Sequence, residues 1–205
     1  MKNSFALAVL VSLIFSFSHT YSQGIFLEKG EAGFFVNGSY SSLEIANATS
    51  FGGGFAFGGV LEFGISSFNS KMKIDKDNYS KQIEIKGTNY SVAAVLVNKK
   101  AQLEINFGLT TSDNGRDAAL IGFAVGSEFV LHEKISWYPI FSFALGFPLE
   151  KNSSNPVTAL GLAVPILIAE HVYLGPTFAL SEGDFSWGVT AGILISFNTS
   201  STSGL

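Results

Sequence analysis

The segment Trp187-Gly188-Val189-Thr190-Ala191-Gly192-Ile193-Leu194-Ile195-Ser196-Phe197 decides the fold. Its odd positions are apolar and, apart from Ala191, bulky, whereas its even positions are Gly, Thr, Gly, Leu and Ser. A period of two is the signature of a strand with two different faces. The preceding segment follows the same rule: Val172, Leu174, Pro176, Phe178 and Leu180 alternate with Tyr173, Gly175, Thr177, Ala179 and Ser181.

The rule extends upstream. Leu103, Ile105, Phe107 and Leu109 alternate with Gln102, Glu104, Asn106 and Gly108. Ile121, Phe123, Val125, Phe129 and Leu131 alternate with Leu120, Gly122, Ala124, Gly126, Glu128 and Val130, and Trp137, Phe141, Phe143, Leu145 and Phe147 with Tyr138, Ser142, Ala144 and Gly146. A soluble barrel would point its bulky face inward and carry charge outside. Here the second face is small and mildly polar, so the bulky face requires lipid. Lipid-out alternation over about ten residues per strand is what a transmembrane barrel needs.

Composition agrees. Of 205 residues only 14% are charged while 47% are hydrophobic, with 22 Gly and 20 Phe. A soluble domain carries roughly 25% charged residues. The net charge is −4 and Arg116 is the only arginine, so the clustered cations that bind nucleic acid are missing. The chain has no cysteine, which excludes disulfides and thiolate zinc sites.

Residues 1–22 read as a Sec-type signal peptide: Lys2, an apolar run from Phe5 to Phe17, then Ser18-His19-Thr20-Tyr21-Ser22. The apolar run is too short to span a bilayer as a helix. No other long apolar window follows, so the mature chain can cross a membrane only as a closed sheet. Residues 23–198 are expected to form a closed antiparallel transmembrane β-barrel and 199–205 a polar tail.

Turn residues divide the barrel into about ten strands, near 33–44, 49–58, 60–69, 81–97, 101–111, 117–131, 135–148, 156–168, 172–181 and 185–197, with eight as the alternative. The inner turns are expected at Gly58-Gly59, Asn98-Lys99-Lys100, His132-Glu133-Lys134 and Ala169-Glu170-His171. The longest outer loop is expected from Ser70 to Ser80. The Gly-rich stretch Phe51 to Gly59 specifies its register poorly. In 81–97 the parity of Ile83 and Ile85 opposes that of Tyr90, Val92 and Ala94. That conflict calls for a bulge near Gly87 or an extension beyond the membrane.

Taken with the signal peptide, these strands and the closing segment Gly188 to Phe197 resemble the small outer-membrane barrels of the OmpA/OmpX and OmpW-like types. The resemblance implies export by Sec to the outer membrane of a Gram-negative cell, with membrane lipid and the barrel-assembly machinery as partners. It also implies that Phe197, the aromatic closing the last strand, is the residue the machinery reads. The eight residues that follow Phe197 depart from the usual pattern.

Candidate functional residues are few. Glu62, Glu104 and Glu128 fall on the inward face toward the periplasm, as an acidic cluster that either rigidifies the lumen or attracts cations. Trp137, Trp187, Tyr40 and Tyr90 suit interfacial girdles. The small inward residues leave space for a slender apolar ligand, or let the wall close. His132 and His171 sit in expected inner turns and read as solvated. No catalytic residue, cofactor or metal is expected. The expected function is a structural barrel or one passing small solutes or ligands. The alternatives are a soluble secreted barrel holding an apolar ligand and a lipid-modifying membrane enzyme.

Overall fold

The structure is a computed structural model that describes Leu27 and residues 31–44, 46–57, 60–76, 79–95, 101–113, 117–149 and 156–198. The expected signal peptide, the polar tail 199–205, and the turns at Gly58-Gly59 and Asn98-Lys99-Lys100 lie outside these residues. Thirteen strands are present: β1 (Glu31–Ser42), β2 (Ala46–Phe57), β3 (Leu61–Lys76), β4 (Tyr79–Val95), β5 (Gln102–Ser112), β6 (Ala118–Gly126), β7 (Phe129–His132), β8 (Ile135–Trp137), β9 (Ile140–Pro148), β10 (Val157–Ala163), β11 (Ile166–Ile168), β12 (Val172–Ser181) and β13 (Asp184–Asn198).

They make ten staves. β6 continues into β7, β8 into β9 and β10 into β11, each across a two-residue break. All neighbours are antiparallel, β13 pairs with β1 from Ser42–Trp187 to Glu31–Asn198, and the ring closes. The breaks form one crease. Ser127 N donates to Pro139 O, Tyr138 N to Pro165 O and Val164 N to Pro176 O. Proline has no N–H to give the ladder, so pairing fails where prolines line up across staves.

The register sets the barrel's shape. One perpendicular line runs Ala32, Phe57, Leu61, Ala94, Ile105, Phe123, Phe143, Leu160, Leu180, Phe185. Because Trp187 faces Ser42, Phe185 comes level with Glu44, a stagger of twelve residues from position 32 to position 44. For ten strands this gives a tilt of about 40° and a backbone radius of about 10 Å. Every residue on the line is apolar and lies on the outward side of its strand, where Ala32 alone is fully covered. Phe57, Leu61, Phe123, Phe143, Leu160, Leu180 and Phe185 are all exposed. An apolar belt around the whole circumference is lipid-facing and does not suit a soluble barrel.

Two uncertain segments are settled. The Gly-rich part of β2 holds one register, with Gly52 facing Ser66, Gly53 facing Ile65 and Gly54 facing Gly64. β4 passes Gly87 without a bulge, since its pairing with β3 is continuous from Leu61–Ala94 to Lys76–Tyr79. The segment expected to form the long loop Ser70 to Ser80 is therefore mostly strand. Its alternation continues with the polarity reversed: Phe68, Met72 and Ile85 are buried inside, while Lys71, Lys73, Glu84 and Lys86 are exposed outside. That is the pattern of a hairpin in water, which sequence alternation scored for lipid passes over.

Candidate functional site

The inward face contains the features from which a function can be read. Several of its bulky members converge at the end where β1 begins and β13 finishes. Phe35, Tyr138, Ile140, Leu167, Tyr173 and Leu194 pack with Ala56, Ala124 and Ala163 into one buried cluster, which Leu27, upstream of β1, joins. Tyr138, Ile140 and Leu194 are at most 2% exposed. Sequence reading placed Tyr138, Tyr173 and Leu194 on the small face without asking why they were large. They are three of the exceptions to the alternation, and these three gather in one place.

The inward glycines give these side chains room. Phe35 faces Gly54 across the ladder, Phe68 faces Gly87, Leu120 faces Gly108, Asn106 faces Gly122 and Tyr173 faces Gly192. A Cβ built on Gly54 would lie 2.5 Å from the Phe35 ring, and one on Gly87 2.6 Å from the Phe68 ring. The rings thus lie flat on their cross-strand glycines, the pairing in which an aromatic covers backbone that glycine leaves bare. Several of the small residues that suggested a ligand cavity are the seats of large ones.

Beyond the cluster the wall carries many polar side chains beside apolar ones such as Leu120 and Phe68. Asn37, Ser41, Ser50, Ser66, Asn89, Thr110, Thr177, Ser186 and Thr190 are all buried and inward. Thr110 Oγ1 donates to Asn89 Oδ1 at 2.7 Å. The buried oxygens Asn37 Oδ1, Ser41 Oγ and Ser142 Oγ have no protein partner among the described residues. Buried polar atoms of this kind are satisfied by water.

Glu62 and Glu104 point inward from β3 and β5, 4% and 0% exposed. Glu62 faces Ala93, Ala93 faces Asn106, and Asn106 Nδ2 donates to Glu104 Oε1 at 3.3 Å. The two carboxylates thus share the β3–β5 side of the lumen, across from most of the apolar cluster. Glu128 lies apart, half-buried in the break between β6 and β7, where it accepts a 2.7 Å bond from Ser136 Oγ.

The four sequence-chosen aromatics face outward. Tyr40 and Trp187 meet edge-on with centroids 6.2 Å apart, and Trp137 packs on Phe129 at 5.5 Å. Allowing for the stagger, Tyr40, Tyr90 and Trp187 share one level, and Trp137 lies about 20 Å below it. Phe197 closes β13 opposite Ala32 and packs on Phe34 and Phe55. His132 ends β7 and His171 follows β11, in two inner turns joined by Ala169 N donating to Lys134 O at 2.7 Å.

Comparison with known proteins bears on the fold. The translocator domain of the autotransporter NalP from Neisseria meningitidis aligns over 93% of this chain and 97% of its own, with 8% identity and a TM-score of 0.50. The fold is that of outer-membrane β-barrels. The β domain of the Bordetella autotransporter BrkA aligns over 82% of this chain and 99% of its own at 10% identity and a TM-score of 0.45. The NanC porin covers 78% and 98% at the same identity and score. No protein-family model and no curated protein matches the sequence.

Proposed function

We propose that this chain is a small structural barrel of the Gram-negative outer membrane, with a lumen that takes up water from outside but is closed toward the periplasm. One observation carries the reading: Phe35, Tyr138, Ile140, Leu167, Tyr173 and Leu194, with Leu27, form one buried cluster at the periplasmic end. Barrels of about this size are filled by side chains unless these are kept small. Small residues open the middle of the wall, and the cluster closes one end. Glu62 and Glu104, with Asn106, then act as a polar network that stiffens the lumen, while Glu128 braces the break between β6 and β7 through Ser136. Tyr40, Tyr90 and Trp187 mark the outer interface and Trp137 the inner one, while Phe197 presents the closing strand to the assembly machinery. Kinship with the OmpA/OmpX and OmpW-like types is supported by that closing strand.

Planar-bilayer recording of the refolded protein is the test. The intact barrel is expected to be silent, and Phe35→Ala combined with Tyr173→Ala to give steady ohmic steps. Steady conductance in the intact protein would overturn the closed reading and favour passage of small solutes.

A further inference from the structure

The outward face of β2–β5 changes character in layers. Phe51, Ile65 and Tyr90 are apolar and exposed. Beyond them lie the hydroxyls of Thr49, Ser67, Thr88 and Thr111, and beyond those Asn69, Lys86, Lys71 and Lys73. The hydroxyl layer is recessed. A depression of about 600 Å³ opens there, lined by Thr49, Ser67, Asn69, Lys86, Thr88 and Thr111 among others. Behind it lie Ser50, Phe68 and Gly87, whose side-chain positions face the lumen.

Charge is concentrated on the rim. Lys71 faces Glu84, Asn69 faces Lys86 and Lys73 faces Gln82 across the ladder. Lys86 Nζ lies 3.3 Å from Glu84, and Asn69 Nδ2 donates to the same carboxylate at 2.8 Å. These contacts, helped by Lys71, hold the Glu84 carboxyl below its usual range. Among the described side chains three lysines thus stand against Glu84 and Asp113, which also lines the depression and accepts from Lys86 N at 3.2 Å, on this face of a chain whose net charge is −4. By the stagger, Lys86 and Lys71 stand about 10 Å above the level of Tyr40, Tyr90 and Trp187.

The order apolar, hydroxyl, cation is the order in which a membrane lipid presents acyl chain, sugar and phosphate. We propose that this face binds one phosphorylated glycolipid of the outer leaflet, with its sugar in the depression and its phosphate on Lys71, Lys73 and Lys86. The inference rests on the transmembrane reading but not on whether the lumen is closed. Lysine acts here as a point charge toward phosphate.

The test compares the refolded protein in detergent micelles with added diphosphorylated lipid A, its dephosphorylated form, and inorganic phosphate, read by native mass spectrometry. The expected result is tighter binding of the diphosphorylated form. That binding should weaken about tenfold or more in Lys71→Gln/Lys73→Gln/Lys86→Gln. Glu84→Gln, which releases Lys86 from its competing carboxylate, should strengthen it. Equal binding of both lipids, an unaffected triple variant, or competition by inorganic phosphate at low concentration would each overturn the proposal. Exposed hairpin positions tolerate such changes, and an unchanged melting profile for each variant separates lost binding from lost folding.

Discussion

Gly192 tests the seating of large residues on glycines. A Cβ added there would meet three atoms of Tyr173, coming within 2.5 Å of Cε1 and Cζ, with no backbone atom among these nearest contacts. Tyr173 is 2% exposed and sits in the periplasmic cluster, so its ring has little freedom to retreat. Two effects oppose each other in Gly192→Ala. Alanine stabilises a strand interior by about 0.5–1 kcal/mol relative to glycine. Overpacking against a fixed ring costs about 1–3 kcal/mol. The second is larger, so the variant should lose about 1–2 kcal/mol. In a Tyr173→Ala background, itself about 3–5 kcal/mol less stable, the ring is gone and only the strand effect remains. Gly192→Ala should then stabilise by about 0.5–1 kcal/mol. Urea unfolding in micelles, followed by tryptophan fluorescence, measures all four corners of the cycle. Equal effects of Gly192→Ala in both backgrounds, within about 0.5 kcal/mol, would show that ring and glycine are not in contact.

Two further outcomes follow from the outward face. Val36→Arg, at an exposed site near the middle of the apolar belt, should cost about 2–4 kcal/mol in lipid vesicles, whereas Thr49→Arg, at its upper edge, should cost about 0–1 kcal/mol; equal costs would misplace the belt. The two tryptophans report depth. With Trp137→Phe and Trp187→Phe variants, lipids brominated near the headgroup should quench either remaining indole more than lipids brominated at the chain end. The reverse would remove these residues from the interfaces.

The staves were legible because lipid enforces a period of two on one face. Trp187 to Phe197 shows this in eleven residues. What escaped the sequence lay where that rule stops. Tyr138, Tyr173 and Leu194 obey the alternation by position and break it by size, and only the closed ring brings them together with Phe35 and Leu27. The crease at Pro139, Pro165 and Pro176 split three staves without changing their parity. Sequence reading therefore counted ten correctly and missed thirteen segments. The hairpin beyond Phe68 was mistaken for a loop because water, not lipid, faces its outer side there.

That reversal also fixes the barrel's height in the membrane. On β3 the outward residues pass from Leu61, Phe63 and Ile65 through Ser67 and Asn69 to Lys71 and Lys73 within thirteen positions, from 61 to 73. Sliding the barrel inward would bring Lys71 and Lys86 into hydrocarbon, at a cost that rises steeply with depth. Sliding it outward would lift Phe51, Ile65 and Phe185, exposed on the outer face at the upper edge of the belt, out of lipid and into water. The window between the two is narrow. Within it the apolar cluster sits at the periplasmic mouth and the lysines at the outer headgroups. On the proposed reading the lysine face meets the outer headgroups only at this one vertical position, set by the sequence of β3 and β4.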